Sequence, residues 1–237
     1  MNKKRIILIS AIALLLVIAA VLICLYCQNL SEERKKEELL AQLQAYYDSK
    51  IALYEKENTE CEPYETDVAF VGDSLTDGYD IERYYPEYVV KNRGIGGDTT
   101  HGLLDRLDVS LYDLKPKVIV MLIGANNLKT MFEDYEEIVK GITQNLPETH
   151  LVICSLTSMG REWGKNNHLA AYNNVKIKAI ADQYKCSFVD LYTPLLNTET
   201  DEIFEHYTTD GGHLTDEGYV VLTEAIKPAV DKILKNK

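Results

Sequence analysis

From residue 67 onward the chain alternates short apolar runs with longer amphipathic ones, and few folds accept that order. The apolar runs fall at residues 68–71 (VAFV), 88–91 (YVVK), 117–123 (KVIVMLI), 151–155 (LVICS) and 187–191 (SFVDL). Runs with helical spacing lie between and after them, at 100–114, 132–145, 167–184 and 216–234. Pro116 separates the first of these helices from the third strand, as a proline beyond a helix end does. Five strands interleaved with amphipathic helices require a parallel sheet covered on both faces through right-handed crossovers. The expected fold class is α/β, a three-layer sandwich around a five-stranded parallel sheet.

The amino-terminal part follows other rules. Residues 6–26 (IILISAIALLLVIAAVLICLY) are apolar throughout. About 20 such residues, each rising roughly 1.5 Å as a helix, cross a hydrocarbon core of about 30 Å. A cleaved signal would have a shorter apolar region and a small residue before the cleavage point. Neither Ile23 before Cys24 nor Tyr26 before Cys27 provides one. The run reads as an uncleaved anchor. Lys3, Lys4 and Arg5 before it favour a cytoplasmic amino terminus and an extracytoplasmic remainder, although Arg34, Lys35 and Lys36 after it weaken the contrast.

Between anchor and sandwich lies a charged helical stretch. Leu40, Leu43, Tyr47, Ile51 and Tyr54 recur at spacings of three and four, forming one apolar stripe. A stalk, a short coiled coil through which the chain self-associates, and a helix docked on the domain all fit it. The expected organisation is a basic tail at 1–5, an anchor at 6–27, a helical stalk and linker at 28–66, and the α/β domain at 67–237.

Net charge and cysteine usage exclude several classes. A net charge of −12 lacks the basic footprint that nucleic acid or an anionic lipid surface would need. Cys24 and Cys27 fall in or beside the apolar run without partner ligands, Cys154 and Cys186 sit in strand-like runs, and Cys61 lies in the linker. Neither a metal site nor a disulfide scaffold is expected.

Chemistry-bearing residues gather where the strands end. The first strand runs into Gly72-Asp73-Ser74-Leu75. Ser74 could cap the next helix, since Ser-x-x-Asp approximates a capping box, or it could be a nucleophile at the ligand-binding edge of the sheet. A nucleophile needs a base, a group to orient that base, and donors for an oxyanion. The second strand ends in NRGIGGDTT (92–100), where a dinucleotide fingerprint fails because Thr99 stands at its third glycine. A bare N–H at Gly97 would serve as an oxyanion donor. The third strand ends in LIGANN (122–127), which offers the Asn126 amide. Near the carboxyl end, DGGH (210–213) places Asp210 three residues before His213 in a glycine loop, close enough to hold the imidazole in one tautomer. Each feature has a plain turn or cap as its alternative; four of them in this order do not.

These four blocks resemble those of the SGNH/GDSL family of serine esterases: GDSL at 72–75, GGD at 96–98, GANN at 124–127 and DGGH at 210–213. The wording is most similar to the branch with the platelet-activating-factor acetylhydrolase catalytic subunits. The resemblance spans residues 67–234 and leaves out the anchor and stalk. Much of the family has aspartate where Asn127 stands, a departure that keeps Asn126 intact. The resemblance implies a flavodoxin-like sandwich with strand order 2-1-3-4-5 and no cofactor or metal. It further implies Ser74 as nucleophile, His213 as base, Asp210 as its orienting carboxylate, and an oxyanion hole made by Ser74, Gly97 and Asn126.

The expected activity is therefore hydrolysis of short acyl esters, acetyl foremost, on small-molecule, glycan or lipid carriers. O-acetyl groups of cell-envelope glycans fit an extracytoplasmic site. A lysophospholipase or short-chain lipase of the same fold is the alternative, and a non-catalytic surface-binding module the alternative of another class. An ordinary α/β-hydrolase would need G-x-S-x-G, and Thr76 breaks that pattern. Outside the four blocks, His101 and Trp163 are candidates for the cleft mouth and its wall, and His168 lies in the same segment as Trp163. His150 and His206 read as structural.

Overall fold

The structure, a computed structural model, describes the backbone of residues 3–235 and the side chains of residues 22–235. Most of the apolar run at 6–26 and all of the basic tail fall outside the described side chains. Among the described residues no helix is long and apolar enough to cross a membrane. The chain divides into two compact units, Met1–Ser49 and Lys50–Lys237. Helix α1 (Lys3–Thr59) contributes to both. Within the first unit, Leu39, Leu40 and Leu43 are each more than half exposed.

The second unit is the sandwich. Its strands are β1 (Val68–Gly72), β2 (Val90–Gly94), β3 (Val118–Leu122), β4 (His150–Cys154) and β5 (Ser187–Val189). All neighbours pair in parallel, in the order β2-β1-β3-β4-β5. Side-chain alternation along each strand feeds two cores. On one face Ala69, Val71, Ile119, Met121 and Ile153 pack with Leu103 from α4 (Thr100–Asp105), Ile138 and Ile142 from α5 (Tyr135–Asn145) and Ile177 from α6 (Asn167–Gln183). On the other, Val68, Phe70, Val120 and Val152 pack with Leu195 from α7 (Tyr192–Leu195) and with Leu222, Ile226 and Val230 from α8 (Asp216–Lys235). A short antiparallel pair, β6 (Leu196–Asn197) and β7 (Glu202–Ile203), follows α7.

Two elements depart from the sequence pattern. Strand β2 begins at Val90 and runs on through Asn92, Arg93 and Gly94, whereas the apolar run predicts 88–91. The polar residues are paired rather than solvated. Asn92 Nδ2 donates to the carbonyls of Thr76 and Tyr79. Arg93, with a fully buried side chain, pairs with Glu57 and donates to Asn58 Oδ1 at 3.0 Å. Tyr54, on the same last turns of α1, donates its hydroxyl to the Gly94 carbonyl at 2.6 Å. Residues 50–59 therefore belong to the sandwich as the cover of its edge strand.

The helix predicted over 100–114 is interrupted. It ends as α4 at Asp105, and a π-helical turn (Asp108–Tyr112) follows. Between them Arg106 turns inward and is almost wholly buried. Its guanidinium needs acceptors that a straight amphipathic helix would not supply.

Candidate active site

Open α/β sheets bind ligands at the carboxyl ends of their strands, in the crevice where strand order reverses. Here the reversal lies between β1 and β3, and the candidate residues sit on either side of it. Gly72 closes β1 because no side chain fits: a Cβ there would lie 2.0 Å from the Leu122 carbonyl oxygen of β3. The chain then turns at Asp73 into the single helical turn α2 (Ser74–Asp77), with Asp73 as its N-cap. Ser74 is thus the first residue of that turn.

His213 reaches Ser74 from the loop before α8. Its Nε2 stands 3.1 Å from Ser74 Oγ, and its Nδ1 2.7 Å from Asp210 Oδ2. The other Asp210 oxygen accepts the backbone N–H groups of Gly212 and His213, each at 2.8 Å. Burial opposes the Asp210 charge, but the hydrogen bonds from His213 and Gly212 prevail and lower its pKa to about 2. With the carboxylate ionised, Nδ1 carries the ring proton and Nε2 is left to accept from the serine hydroxyl.

The loop is stapled from within. Thr208 Oγ1 accepts the Gly211 N–H and donates to the His213 carbonyl, and Thr209 N–H donates to the same carbonyl. The Gly211 carbonyl accepts the Gly160 N–H at 2.8 Å, which ties the loop to the segment after β4. Gly211 has a φ of +96°, and a Cβ there would meet the Gly160 oxygen at 2.3 Å. Only glycine satisfies both conditions.

A cleft of about 120 Å³ opens over Ser74. Asn126 and Ala125 line one side, Gly212 and His213 another, and Leu75, Thr157, Met159 and Trp163 complete it. Asn126 Nδ2 donates one hydrogen to the Asp98 carbonyl at 2.8 Å, which leaves the second for a ligand. Gly97 precedes Asp98 in the turn after β2, exposed and with a φ of +79°. It is not among the residues lining the cleft; its link to the site is that its neighbour Asp98 holds the Asn126 amide.

That turn is fixed by a buried ion pair that the sequence did not reveal. Arg106 Nε donates to Asp98 Oδ2 at 2.8 Å. The same guanidinium donates to the Gly72 carbonyl at 3.0 Å, the Arg93 carbonyl at 2.9 Å and Ser110 Oγ at 2.8 Å. One side chain thus joins the ends of β1 and β2 to the Asp98 turn.

A second unforeseen group is Asp73, buried beside Ser74 and part of the cleft wall. Burial raises its pKa to about 7. The Leu75 N–H opposes that rise, the Asp98 charge adds to it, and His213 and the Ala125 N–H oppose it. In the sequence it stood only as part of the GDSL block at 72–75, with no role of its own assigned to it.

Of the other candidates, Trp163 lines the cleft. His101 does not; its exposed ring lies 3.7 Å from both Asp105 and Asp134. His168 is exposed and outside the cleft lining. No cluster of side chains suited to a metal ion occurs among the described residues.

Fold and site together define a carboxylic ester hydrolase of the α/β class, with its serine at a sheet edge. The chain belongs to the GDSL-like lipase/acylhydrolase family, whose profile matches residues 70–221. Platelet-activating factor acetylhydrolase IB subunit alpha2 of Homo sapiens is 33% identical over 196 residues, covering 74% of this chain and 81% of its own. A GDSL-like lipase from Bacteroides thetaiotaomicron shares the fold, with a TM-score of 0.68 at 24% identity over 77% of this chain and 97% of its own. A single-substitution variant of an acetyl xylan esterase from Geobacillus stearothermophilus shares it as well, with a TM-score of 0.59 at 19% identity over 71% and 95%.

Proposed function

We propose that this chain hydrolyses short acyl esters, acetyl foremost, on O-acetylated glycans of the cell envelope, and that it does so outside the cytoplasm on an amino-terminal membrane anchor. The observation that carries the chemistry is the 3.1 Å approach of His213 Nε2 to Ser74 Oγ, with Asp210 behind the ring.

His213 takes the Ser74 proton as Oγ attacks the ester carbonyl. The carbonyl π electrons move onto oxygen, where the Ser74 N–H and the Asn126 amide, both at the cleft, receive the charge. As the tetrahedral intermediate collapses, the bond to the leaving oxygen breaks and His213 returns its proton there, freeing the alcohol. Water, activated by the same imidazole, then attacks the acyl-serine. The acid departs and Ser74 regains its proton.

The 120 Å³ cleft favours a small acyl group, and the acetylhydrolase name of the relatives points the same way. The lipase name of the family and of the Bacteroides thetaiotaomicron neighbour supports a second reading, in which the chain is a lysophospholipase or short-chain lipase. The anchor rests on the unbroken apolar run at 6–26 and the basic residues before it.

Hydrolysis of p-nitrophenyl acetate by the full-length chain and by Ser74→Ala tests the chemistry; equal rates would end it. Membrane fractionation of cells with and without residues 1–27 tests the anchor, and an unchanged distribution would remove it.

A further inference from the structure

Beside the Ser74 cleft lies a second, larger groove of about 430 Å³, continuous with it through the shared walls of Ala125, Asn126, Met159 and Trp163. We propose that this groove is a carbohydrate subsite: it takes the sugar ring that carries the scissile acetyl group, stacks that ring on Trp163, and hydrogen-bonds it through Asn166 and Lys129. The proposal rests on the ester-hydrolase reading above and assigns the alcohol side of the same reaction.

Three observations carry it. The first is position. The leaving oxygen must receive its proton from His213, so the alcohol lies on the His213 side of the ester. Trp163 stands there, with the Cδ1–Nε1 edge of its indole 3.5–3.6 Å from where a Cβ on Gly212 would be. The backbone that carries the indole is fixed, since the Trp163 N–H donates to the Gly160 carbonyl at 3.0 Å and Gly160 N–H donates to the Gly211 carbonyl at 2.8 Å. The segments that carry Trp163 and His213 are therefore tied together through the same loop contact.

The second is exposure. Trp163 is 45% exposed, whereas Leu128 and Met159 in the same groove are 9% and 6%. Trp163 is the one aromatic ring among the residues lining the groove, and it faces solvent beside the partly exposed Ala125 and Leu169. A sugar ring has one apolar C–H face to set on an indole and hydroxyls around its rim for polar groups.

The third is the supply of polar groups. Among the described residues, the Asn166 amide and the Lys129 ammonium carry no side-chain hydrogen bond or ion pair, although both line the groove. Asn127, by contrast, is occupied by Thr100. Asn166 precedes α6 without capping it, so the fold does not use its amide. A few placed polar groups around an apolar platform are how small-molecule sites fix orientation.

The sequence supplies its own probe, because Trp163 is the only tryptophan among the 237 residues. The experiment titrates the full-length chain, held in amphipol, with ester-free oligosaccharides (xylotetraose and N-acetylated chitotetraose) and separately with dihexanoylphosphatidylcholine below its micelle concentration. A saturable change in tryptophan emission with an oligosaccharide is expected. Asn166→Ala and Lys129→Ala should each weaken it about fivefold, the worth of one ordinary hydrogen bond. Silence towards both sugars, a response to the phospholipid alone, or sugar binding untouched by both substitutions would each overturn the subsite. Because the sugars carry no ester, p-nitrophenyl acetate turnover without a sugar response removes the subsite alone. A sugar response without turnover removes the hydrolase reading alone.

Discussion

Both carboxylate oxygens of Asp210 are committed to His213: Oδ2 meets the ring Nδ1 at 2.7 Å and Oδ1 accepts the backbone N–H of the same residue at 2.8 Å. The acid therefore fixes the histidine twice, as a ring and as a loop position. Asp210→Asn keeps a side chain of the same shape but presents a neutral group to Nδ1. It should lower kcat for p-nitrophenyl acetate by about 10²–10⁴, with KM little changed. Stopped-flow kinetics on purified protein decide this; a loss under tenfold would mean that Asp210 only shapes the loop.

Arg106 acts on the same chemistry from a distance. It never touches the cleft, yet it holds the Asp98 turn whose carbonyl receives Asn126 Nδ2. Arg106→Lys keeps the charge but cannot reach Asp98, Gly72 and Arg93 together. We expect a lower melting temperature and a kcat reduced by about tenfold, short of the 10²–10³ that removing a whole oxyanion donor costs. Thermal melts beside kinetics separate the two effects. A destabilised protein with unaltered kcat would confine Arg106 to the fold.

How much of this was legible depended on whether a residue's environment was local. Strands β1, β3 and β4 are buried on both faces, so their uninterrupted apolar runs announced them. Ser74 and Asn126 stood out because each sits at a break in such a run, and the Asp210–His213 pair because two glycines separate an acid and a histidine in one short loop. Arg93 and Arg106 did not. A buried arginine satisfied by Glu57 or Asp98 looks in sequence like any surface cation, since its partner lies 36 or 8 residues away. The end of β2 and the cover supplied by residues 50–59 were hidden for that reason. In the apolar stripe, Leu40 and Tyr54 look equivalent, yet Leu40 is 56% exposed and Tyr54 only 1%.

The edge cover yields a prediction about where the domain begins. Glu57 is held below the usual carboxylate range: burial opposes its charge, and Arg93 and Lys91 outweigh that opposition. Removing it strands the buried Arg93 guanidinium. Glu57→Ala should cost about 3 kcal/mol, the low end for breaking a buried pair because Glu57 keeps some solvent. Deleting residues 1–49 should leave urea stability nearly intact, whereas deleting 1–59 should lose the cooperative transition. Equal stability of the two truncations would place the boundary after the helix.

Asp73 predicts an inverse dependence of stability on pH. Its pKa is raised from 3.8 to about 7 in the fold. Between those values the folded chain keeps a proton that the unfolded chain has released. The stability contributed by the protonated acid is therefore full below about pH 4 and declines as pH rises towards 7, by a few kcal/mol in order of magnitude. Asp73→Asn should flatten that part of the profile and gain stability above pH 7. Urea unfolding of both proteins across this window is the measurement, and parallel profiles would refute the assignment.

We predict that Met159 governs acyl length. It is 6% exposed, lines both the Ser74 cleft and the adjoining groove, and its backbone is locked by Asn167, whose side chain accepts the Met159 N–H and donates to its carbonyl, each at 2.8 Å. The backbone therefore stays put when the side chain is shortened, and the volume released goes to the cleft. One methylene in an apolar pocket is worth roughly 1–3 kcal/mol, or about 10–200-fold in kcat/KM. Wild-type chain should prefer p-nitrophenyl acetate over the butyrate by at least the lower figure. Met159→Ala should move the optimum towards butyrate, chiefly through KM, because the Ser74–His213–Asp210 contacts do not involve that side chain. A wild-type preference for butyrate, or an unmoved optimum in the variant, would mean that the acyl group lies elsewhere than against Met159.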